Sequence, residues 1–175
     1  MMDKPSVRES GLGDAASIDA LYPRAFPDEE LRPLVHALAT DPQIVLSLVA
    51  TIDDAIVGHG MFTRCGVSGS DAGAALLGPV AVDPDWQRRG VGSALIRYGL
   101  ERLTSDGVAI VCVLGDPAYY GRLGFSTEST IEAPYRLPDE WAEAWQSQRL
   151  GDRGALDAGA LSVPHPWQDP ALWGA

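Results

Sequence analysis

The sequence predicts an α/β or α+β domain with a mixed central sheet of about six to seven strands, flanked by about four helices. Three observations lead there. Extended and helical patterns follow one another in the order β-α-α-β-β-β-α-β-α-β-β, which is that of a mixed sheet with helices packed on it. Three β-type runs precede the central amphipathic helix, which argues against the regular alternation of a doubly wound fold. The chain has 175 residues, enough to bury a core without disulfides or metal. Residues 1–175 therefore read as one domain, with a core from about 6 to 163 and an irregular tail over 164–175.

The elements follow in order. Pro5 to Ser10 alternates and makes a short strand. "GDAASIDALYPRAF" places Ala16, Ile18, Leu21 and Tyr22 near helical spacing, with Pro23 limiting the helix. "PDEELRPLVHALAT" reads as a second helix, with Asp28, Glu29 and Glu30 in its first turn and Leu31, Leu34, Val35 and Leu38 on one face. "IVLSLVATIDDAIVGHGMFTRCGV" is two apolar strands joined by a hairpin turn at Asp53-Asp54. After the turn Ser68 to Ala74 comes "AALLGPVAVDP", interrupted by Gly78-Pro79. "GVGSALIRYGLERLTSDG" is an amphipathic helix stopped by Gly107, and "VAIVCVLG" is a buried type of strand. "PAYYGRLGF" is a short helix leading into a strand, Asp139 to Gln148 a further short helix, and Gly154 to Val163 the last strand.

The formal net charge is −11, which argues against binding nucleic acid or an anionic membrane and is compatible with a cationic substrate. The two cysteines, Cys65 and Cys112, belong to no CxxC pair, so no metal or redox site is expected. The N-terminus lacks the apolar segment of a signal peptide, and no apolar run approaches ~20 residues, so a cytoplasmic location and no membrane span are expected. The tail "PHPWQDPALW" carries aromatic residues that, left exposed, would mark an interface; a homodimer is expected on that ground.

The stretch "DPDWQRRGVGSAL", Asp83 to Leu95, carries the functional argument. A strand ends at Val82, Asp83-Pro84 turns the chain, and a helix begins near Gly90. The first turn of a helix presents N–H groups without intrahelical partners and a partial positive charge. Gly90 and Gly92 leave those donors uncovered, so a phosphate can approach the backbone, and Arg88 and Arg89 add fork-shaped cationic donors. Gly78-Pro79 implies a departure from regular pairing in the preceding strand, which frees main-chain groups beside the helix terminus. The third glycine of a dinucleotide fingerprint is missing, and the G-K-[ST] of a Walker loop is absent.

"VAVDPDWQRRGVGSALI" closely resembles the acetyl-CoA motif of the GNAT N-acetyltransferase superfamily, with Gln87, Gly90 and Gly92 in its Q/R-x-x-G-x-G/A pattern. "AYYGRLGF" resembles the family's later tyrosine motif, with Tyr120 five residues before Phe125. "GDPAYYGRLGF" is similar to a bacterial subgroup of that family. The resemblance implies acetyl-CoA as co-substrate, a primary amine of a small molecule or peptide as acceptor, and no metal. It implies that the strand backbone at Val80, Ala81 and Val82 pairs with pantetheine. It implies further that the loop Arg88, Arg89, Gly90, Val91, Gly92 and Ser93 holds the pyrophosphate. Tyr120 is then the catalytic acid for the leaving thiolate, and Arg122 is a candidate for a CoA phosphate. The chain departs from many members at Gly115-Asp116-Pro117, where they carry an asparagine.

Acetyl transfer to an amine requires loss of a proton from an ammonium, a donor for the developing oxyanion, and protonation of the thiolate. A backbone N–H near Gly78-Pro79 suits the oxyanion and a tyrosine hydroxyl suits the thiolate. The base is open. His59 reads as a core histidine, His36 as a surface one, and Glu29 and Glu30 as helix-terminus partners near the acceptor side. Trp141 and Trp145, four apart, read as packing on one helical face. A non-catalytic acyl-CoA-binding module is the alternative function, and a nucleotide-binding regulatory domain a third reading.

Overall fold

The computed structural model describes residues 4–151 and 156–175. They form two compact units. The first comprises Met1–Phe62 and Gly78–Gly99, the second Thr63–Leu77 and Leu100–Ala175. Two long strands, β3 (Ala55–Val67) and β4 (Ser70–Val82), and one long helix, α3 (Val91–Ser105), contribute to both.

The first unit holds β1 (Ser6–Glu9), α1 (Ala15–Ala25), α2 (Arg32–Ala39) and β2 (Val45–Ile52), with strand order β1-β2-β3-β4. β1 runs antiparallel to β2 in the register Ser6↔Thr51 to Glu9↔Leu48. The hairpin between β2 and β3 turns at Asp53 and Asp54, with φ of 52° and 64°. Two consecutive positive φ values make the tight turn whose twist matches its flanking strands, and aspartate tolerates them. α1 passes through Pro23 to Ala25, one turn further than the sequence suggests, and closes with Phe26 N–H on the Tyr22 carbonyl at 2.8 Å. Proline removes one donor there, and the burial of Ile18, Leu21 and Tyr22 holds the helix regardless.

The acids expected in the first turn of the second helix precede it instead. α2 starts at Arg32 with Pro33 in its first turn, where a missing N–H is harmless. Glu30 takes the Arg32 N–H at 3.0 Å and its guanidinium Nε at 2.9 Å.

The second unit holds β5 (Ile110–Leu114), α4 (Pro117–Gly121), β6 (Ser126–Thr127), β7 (Ile131–Glu132), β8 (Trp145–Arg149) and β9 (Gly159–Ser162). β4 pairs in parallel with β5, β8 runs antiparallel to both β5 and β6, and β9 pairs β3 and β7. The sheet is thus mixed, as the sequence indicates. It has nine strands among the described residues, more than expected because β6 and β7 are only two residues each. Of the last expected strand, residues 154–155 lie outside the described residues.

The C-terminal third departs most from the sequence reading. Of the helix expected over Asp139 to Gln148, only Asp139–Ala144 is helical, as a 3-10 stretch, and Trp145–Arg149 is a strand. Pairing with β5, from Leu114↔Trp145 to Ile110↔Arg149, overrides the local helical pattern. Trp141 and Trp145 therefore do not share a helical face. The tail does not expose its aromatics. Trp173 is 1% and Trp167 8% exposed. Trp173 meets Trp145 edge-on at 5.8 Å, and their neighbour Trp167 donates its Nε1–H to Thr63 Oγ1 at 3.1 Å. The ground for expecting a homodimer through this tail falls away with that burial.

Glu128 organises the short strands β6 and β7. Its carboxylate accepts the N–H groups of Thr130 and Ile131, each at 2.7 Å, and the Arg149 guanidinium at 2.6 Å, besides the Ser147 hydroxyl. Burial pushes this carboxyl up, but Arg149, Ser147 and the two amides outweigh it and hold it at about 2.

A polar line, buried at Tyr22 and His59 and half-buried at Ser47 and Ser10, runs through the first unit. Ser10 Oγ donates to Ser47 Oγ at 2.7 Å, Ser47 Oγ lies 2.9 Å from His59 Nε2, and His59 Nδ1 lies 2.7 Å from the Tyr22 hydroxyl. His59 is fully buried, and burial lowers its imidazole to about 4. Both ring nitrogens are engaged by hydroxyl groups, which satisfies a neutral ring, and burial disfavours the cation.

This burial sets a pH dependence. Between about 6.5, the value for an exposed histidine, and about 4, the unfolded chain binds a proton that the folded chain does not. The contribution of His59 is therefore complete above about pH 6.5 and lost as pH falls toward 4, on the order of 3 kcal/mol in all. Urea titrations at about pH 7, 5.5 and 4.5 should show a falling midpoint, with the His59 ring resonance not titrating above about pH 5. A ring that titrates near 6.5 would contradict the buried neutral state.

Candidate active site

The site begins where β4 leaves its parallel partner. The register runs from Ala74↔Ile110 to Leu77↔Val113, and Gly78-Pro79, joined by a cis peptide, follows. Pro79 has no N–H to donate. Val80 and Val82 are half-buried and alternate with Ala81, which is fully buried. A strand segment beyond its ladder keeps main-chain donors and acceptors for another partner.

The turn after the strand is held at several points. Asp83 N–H bonds the Val57 carbonyl of β3 at 2.9 Å, and the Asp83 carbonyl accepts Trp86 N–H at 2.8 Å. The Asp83 carboxylate caps the short 3-10 turn Pro84–Trp86 by accepting Asp85 N–H at 2.9 Å. Gln87 Nε2 reaches back to the Val82 carbonyl at 3.3 Å. Arg89 places its guanidinium 5.1 Å from the centre of the Trp86 ring, within cation–π range.

Two left-handed residues then turn the chain into α3: Arg88 with φ of 62° and Gly90 with φ of 82°. The Gly90 carbonyl accepts Ala94 N–H at 3.0 Å and starts the helical ladder. Helix geometry leaves the N–H groups of Val91, Gly92 and Ser93 without intrahelical acceptors. A Cβ at Gly90 would find nothing within 4 Å, so the approach is open. The helix is set deep on β3 by another glycine, Gly58, whose Cβ would lie 2.7 Å from Val91 Cγ1 and 3.0 Å from Leu95 Cδ1. Uncovered amides, a positive helix end and two exposed arginines are an arrangement chemically suited to an anion. All nine residues expected to bind the co-substrate, Val80 to Val82 and Arg88 to Ser93, belong to this first unit.

Tyr120 belongs to the second unit, on α4. Asp116 caps that helix through Ala118 N–H at 2.9 Å. The Tyr120 ring packs edge-on against Tyr119 and Phe125, with centroids 4.9 and 5.7 Å away. Its hydroxyl has no hydrogen-bond partner among the described residues. Burial, with Tyr119 and Asp116 adding to it, raises its pKa, so it carries its proton at neutral pH. The glycine at position 115 now has a physical reason: a Cβ there would lie 2.4 Å from Tyr120 Cε2. An asparagine at this position would collide with the tyrosine ring. Arg122 lies over the Tyr119 ring at 5.9 Å.

The candidate bases sort by environment. His59 is buried, with both nitrogens occupied, and is not a base for an incoming amine. His36 Nε2 sits 2.5 Å from Asp19 Oδ1 at the surface. Glu30 is committed to Arg32, whose guanidinium and N–H hold it at about 2. No group of three or more His, Cys, Asp or Glu among the described residues is arranged to hold a metal ion. Among the described residues no helix is long and apolar enough to cross a membrane. Sequence reasoning placed the turn at Asp83-Pro84 but missed the cap and ion pair of the Asp83 carboxylate, and it missed Gly58, for which an isolated glycine within an apolar strand was the available signal.

The family model of the GNAT acetyltransferases matches residues 15–125. An uncharacterised N-acetyltransferase of Escherichia coli, YhbS, is 37% identical over 140 residues, covering 79% of this chain and 83% of that one. The crystal structure of E. coli YhbS in complex with CoA superposes with a TM-score of 0.85 at 30% identity, covering 97% and 94% of the two chains. A GNAT acetyltransferase from Brucella melitensis in complex with acetyl-CoA gives a TM-score of 0.76 at 28% identity, covering 95% and 100%.

Proposed function

The chain belongs to the GNAT N-acetyltransferase family, and from that membership we propose that it transfers the acetyl group of acetyl-CoA to a primary amine of a small molecule or peptide. It is an acyltransferase with acetyl-CoA as co-substrate. The observation that carries the reading is the uncovered first turn of α3, with three donor amides behind the left-handed Arg88–Gly90 turn. The family match covers residues 15–125, which include parts of both units. The cytoplasm, where acetyl-CoA is plentiful, is the location this reading implies.

Each part of the chemistry has a candidate. The backbone of Val80–Val82 pairs with the amide-bearing pantetheine arm, leaving the Arg88–Ser93 loop for the pyrophosphate. The neutral amine attacks the thioester carbon. The oxygen that gains charge takes a hydrogen bond from a main-chain N–H of the strand following Pro79. The carbon–sulfur bond breaks as Tyr120 donates its proton to the sulfur, and the proton that the attacking nitrogen loses on becoming an amide restores the tyrosine hydroxyl. A raised pKa keeps that proton in place until the thiolate forms, and the unpartnered hydroxyl is free to turn toward it. The excess proton of the ammonium leaves to water in this scheme, since His59 and Glu30 are committed elsewhere. The net charge of −11 favours a cationic acceptor.

A panel of amines and basic peptides incubated with acetyl-CoA, with release of free thiol followed, tests the reaction directly. Thiol release above the amine-free rate supports transfer. CoA binding by calorimetry without turnover on any amine would favour a non-catalytic acyl-CoA-binding module.

Gly90→Val should weaken CoA binding at least tenfold, because the side chain enters the open approach to the amides. The positive φ adds on the order of 1–2 kcal/mol of strain, so the variant should still fold but melt a few degrees lower. Calorimetric titration showing parent affinity would remove the pyrophosphate from this loop.

Tyr120→Phe retains the ring packing against Phe125 and Gly115 and deletes only the hydroxyl. It should lower kcat by about 10²–10⁴-fold with CoA affinity and melting temperature near the parent values. A kcat within about twofold of the parent would end the acid role, and a raised KM for acetyl-CoA with kcat preserved would make the hydroxyl a binding group.

A further inference from the structure

One charged side chain from outside the co-substrate loop grips the turn that shapes it. Arg24, in the last turn of α1, places Nη2 2.9 Å from Asp83 Oδ1 and 3.3 Å from Asp85 Oδ2. Asp83 is the residue on which the turn depends. Its N–H holds the end of β4 to β3, its carbonyl receives Trp86, and its carboxylate caps the 3-10 turn while meeting Arg24. Trp86 in turn supports Arg89.

We propose that Arg24 is a positioning residue for the acyl-CoA-binding loop, acting through Asp83 and Asp85; the inference rests on the acetyl-CoA reading of the site. Two physical effects support it. Arg88 adopts φ of 62°, a conformation that a non-glycine residue leaves unless its surroundings impose it. The turn before it must therefore be held from elsewhere, and Arg24 supplies the hold from another element. Charge acts in the same direction. Asp83 and Asp85 put two carboxylates in the turn that leads to the proposed anion seat, and a polyanionic ligand would meet them as like charges. A guanidinium whose single Nη2 meets both carboxylates offsets that repulsion. The hydrogen bond from Arg24, opposed by burial and helped by the Asp85 amide, holds the Asp83 carboxyl below its ordinary range, so the pair stays charged throughout the neutral region.

Arg24 is half exposed, so the effect on affinity is moderate and is read as a ratio. Calorimetric titration with CoA, alongside thermal melts, compares the parent with Arg24→Ala, Arg24→Lys and Asp83→Asn. Arg24→Ala should raise the Kd for CoA about fivefold with a melting temperature within about 2 °C of the parent, and Arg24→Lys should recover at least half of that loss. Asp83→Asn keeps an oxygen for the Asp85 amide and loses the ion pair, but it also removes one of the repelling carboxylates, so it should weaken CoA less than Arg24→Ala does. A change under threefold for Arg24→Ala overturns the proposal. So does a loss of affinity that follows a collapsed melting temperature with no recovery in the lysine variant, because the ion pair would then be holding the fold and not the loop. A parent that does not bind CoA overturns the acetyl-CoA reading itself, and that result is distinct from a parent that binds while Arg24→Ala binds equally well.

Discussion

Much of the first unit depends on how closely the first turn of α3 approaches β3. That approach is a steric matter. At Gly58 a methyl group would sit 2.7 Å from Val91, closer than carbon atoms tolerate, so only glycine lets the helix start where it does. The amides of Val91, Gly92 and Ser93 are useful because the helix end is fixed: a dipole and donors act on an anion over the length of one turn. The left-handed pair Arg88 and Gly90, the cap on Asp83 and the Gln87 contact to Val82 then bring the chain from the strand end to that helix with its donors uncovered.

Rigid surroundings make such a loop possible. The Ser10–Ser47–His59–Tyr22 line ties the residue after β1 to β2, β3 and α1 by hydrogen bonds that run through one buried imidazole. Arg24 sits near the end of the same helix that Tyr22 anchors, so this line fixes the base from which the guanidinium reaches Asp83. A histidine of suitable pKa in a sequence invites a catalytic role. Here the interior determines otherwise, because a ring with both nitrogens engaged and its pKa lowered to about 4 has no site to receive a substrate proton at neutral pH.

The second unit applies the same economy of space at Tyr120. Phe125 and Tyr119 flank the ring, and Gly115 gives it room. The departure from the asparagine common in the family is thus linked to a local packing choice. Glu128 shows how a short, irregular segment is ordered without a helix or long strand: one carboxylate satisfies two amides, a hydroxyl and a guanidinium. Four tryptophan-centred contacts and hydrogen bonds then seat the C-terminal tail on the interior.

The sequence by itself determined the fold class, the hairpin at Asp53-Asp54, and the strand-turn-helix around Asp83 to Leu95. These are local matters: hydrophobic period, turn chemistry and the exposed donors of a helix start are all set by neighbours along the chain. The uncovered amides at the start of α3 were legible for that reason, because they belong to consecutive residues. Only the tertiary structure decided what depends on residues far apart. Trp145–Arg149 became a strand because β5 offered a pairing edge, and the acids at 28–30 lay before their helix because Glu30 closed on Arg32. The tail tryptophans turned inward onto Trp145 and Thr63, and His59 became a structural link because Tyr22 and Ser47 flank it. Arg24 and Asp83 are 59 residues apart. No periodicity or motif reports a contact at such a separation, since it exists only once α1 and the end of β4 have been brought together by the burial of the core.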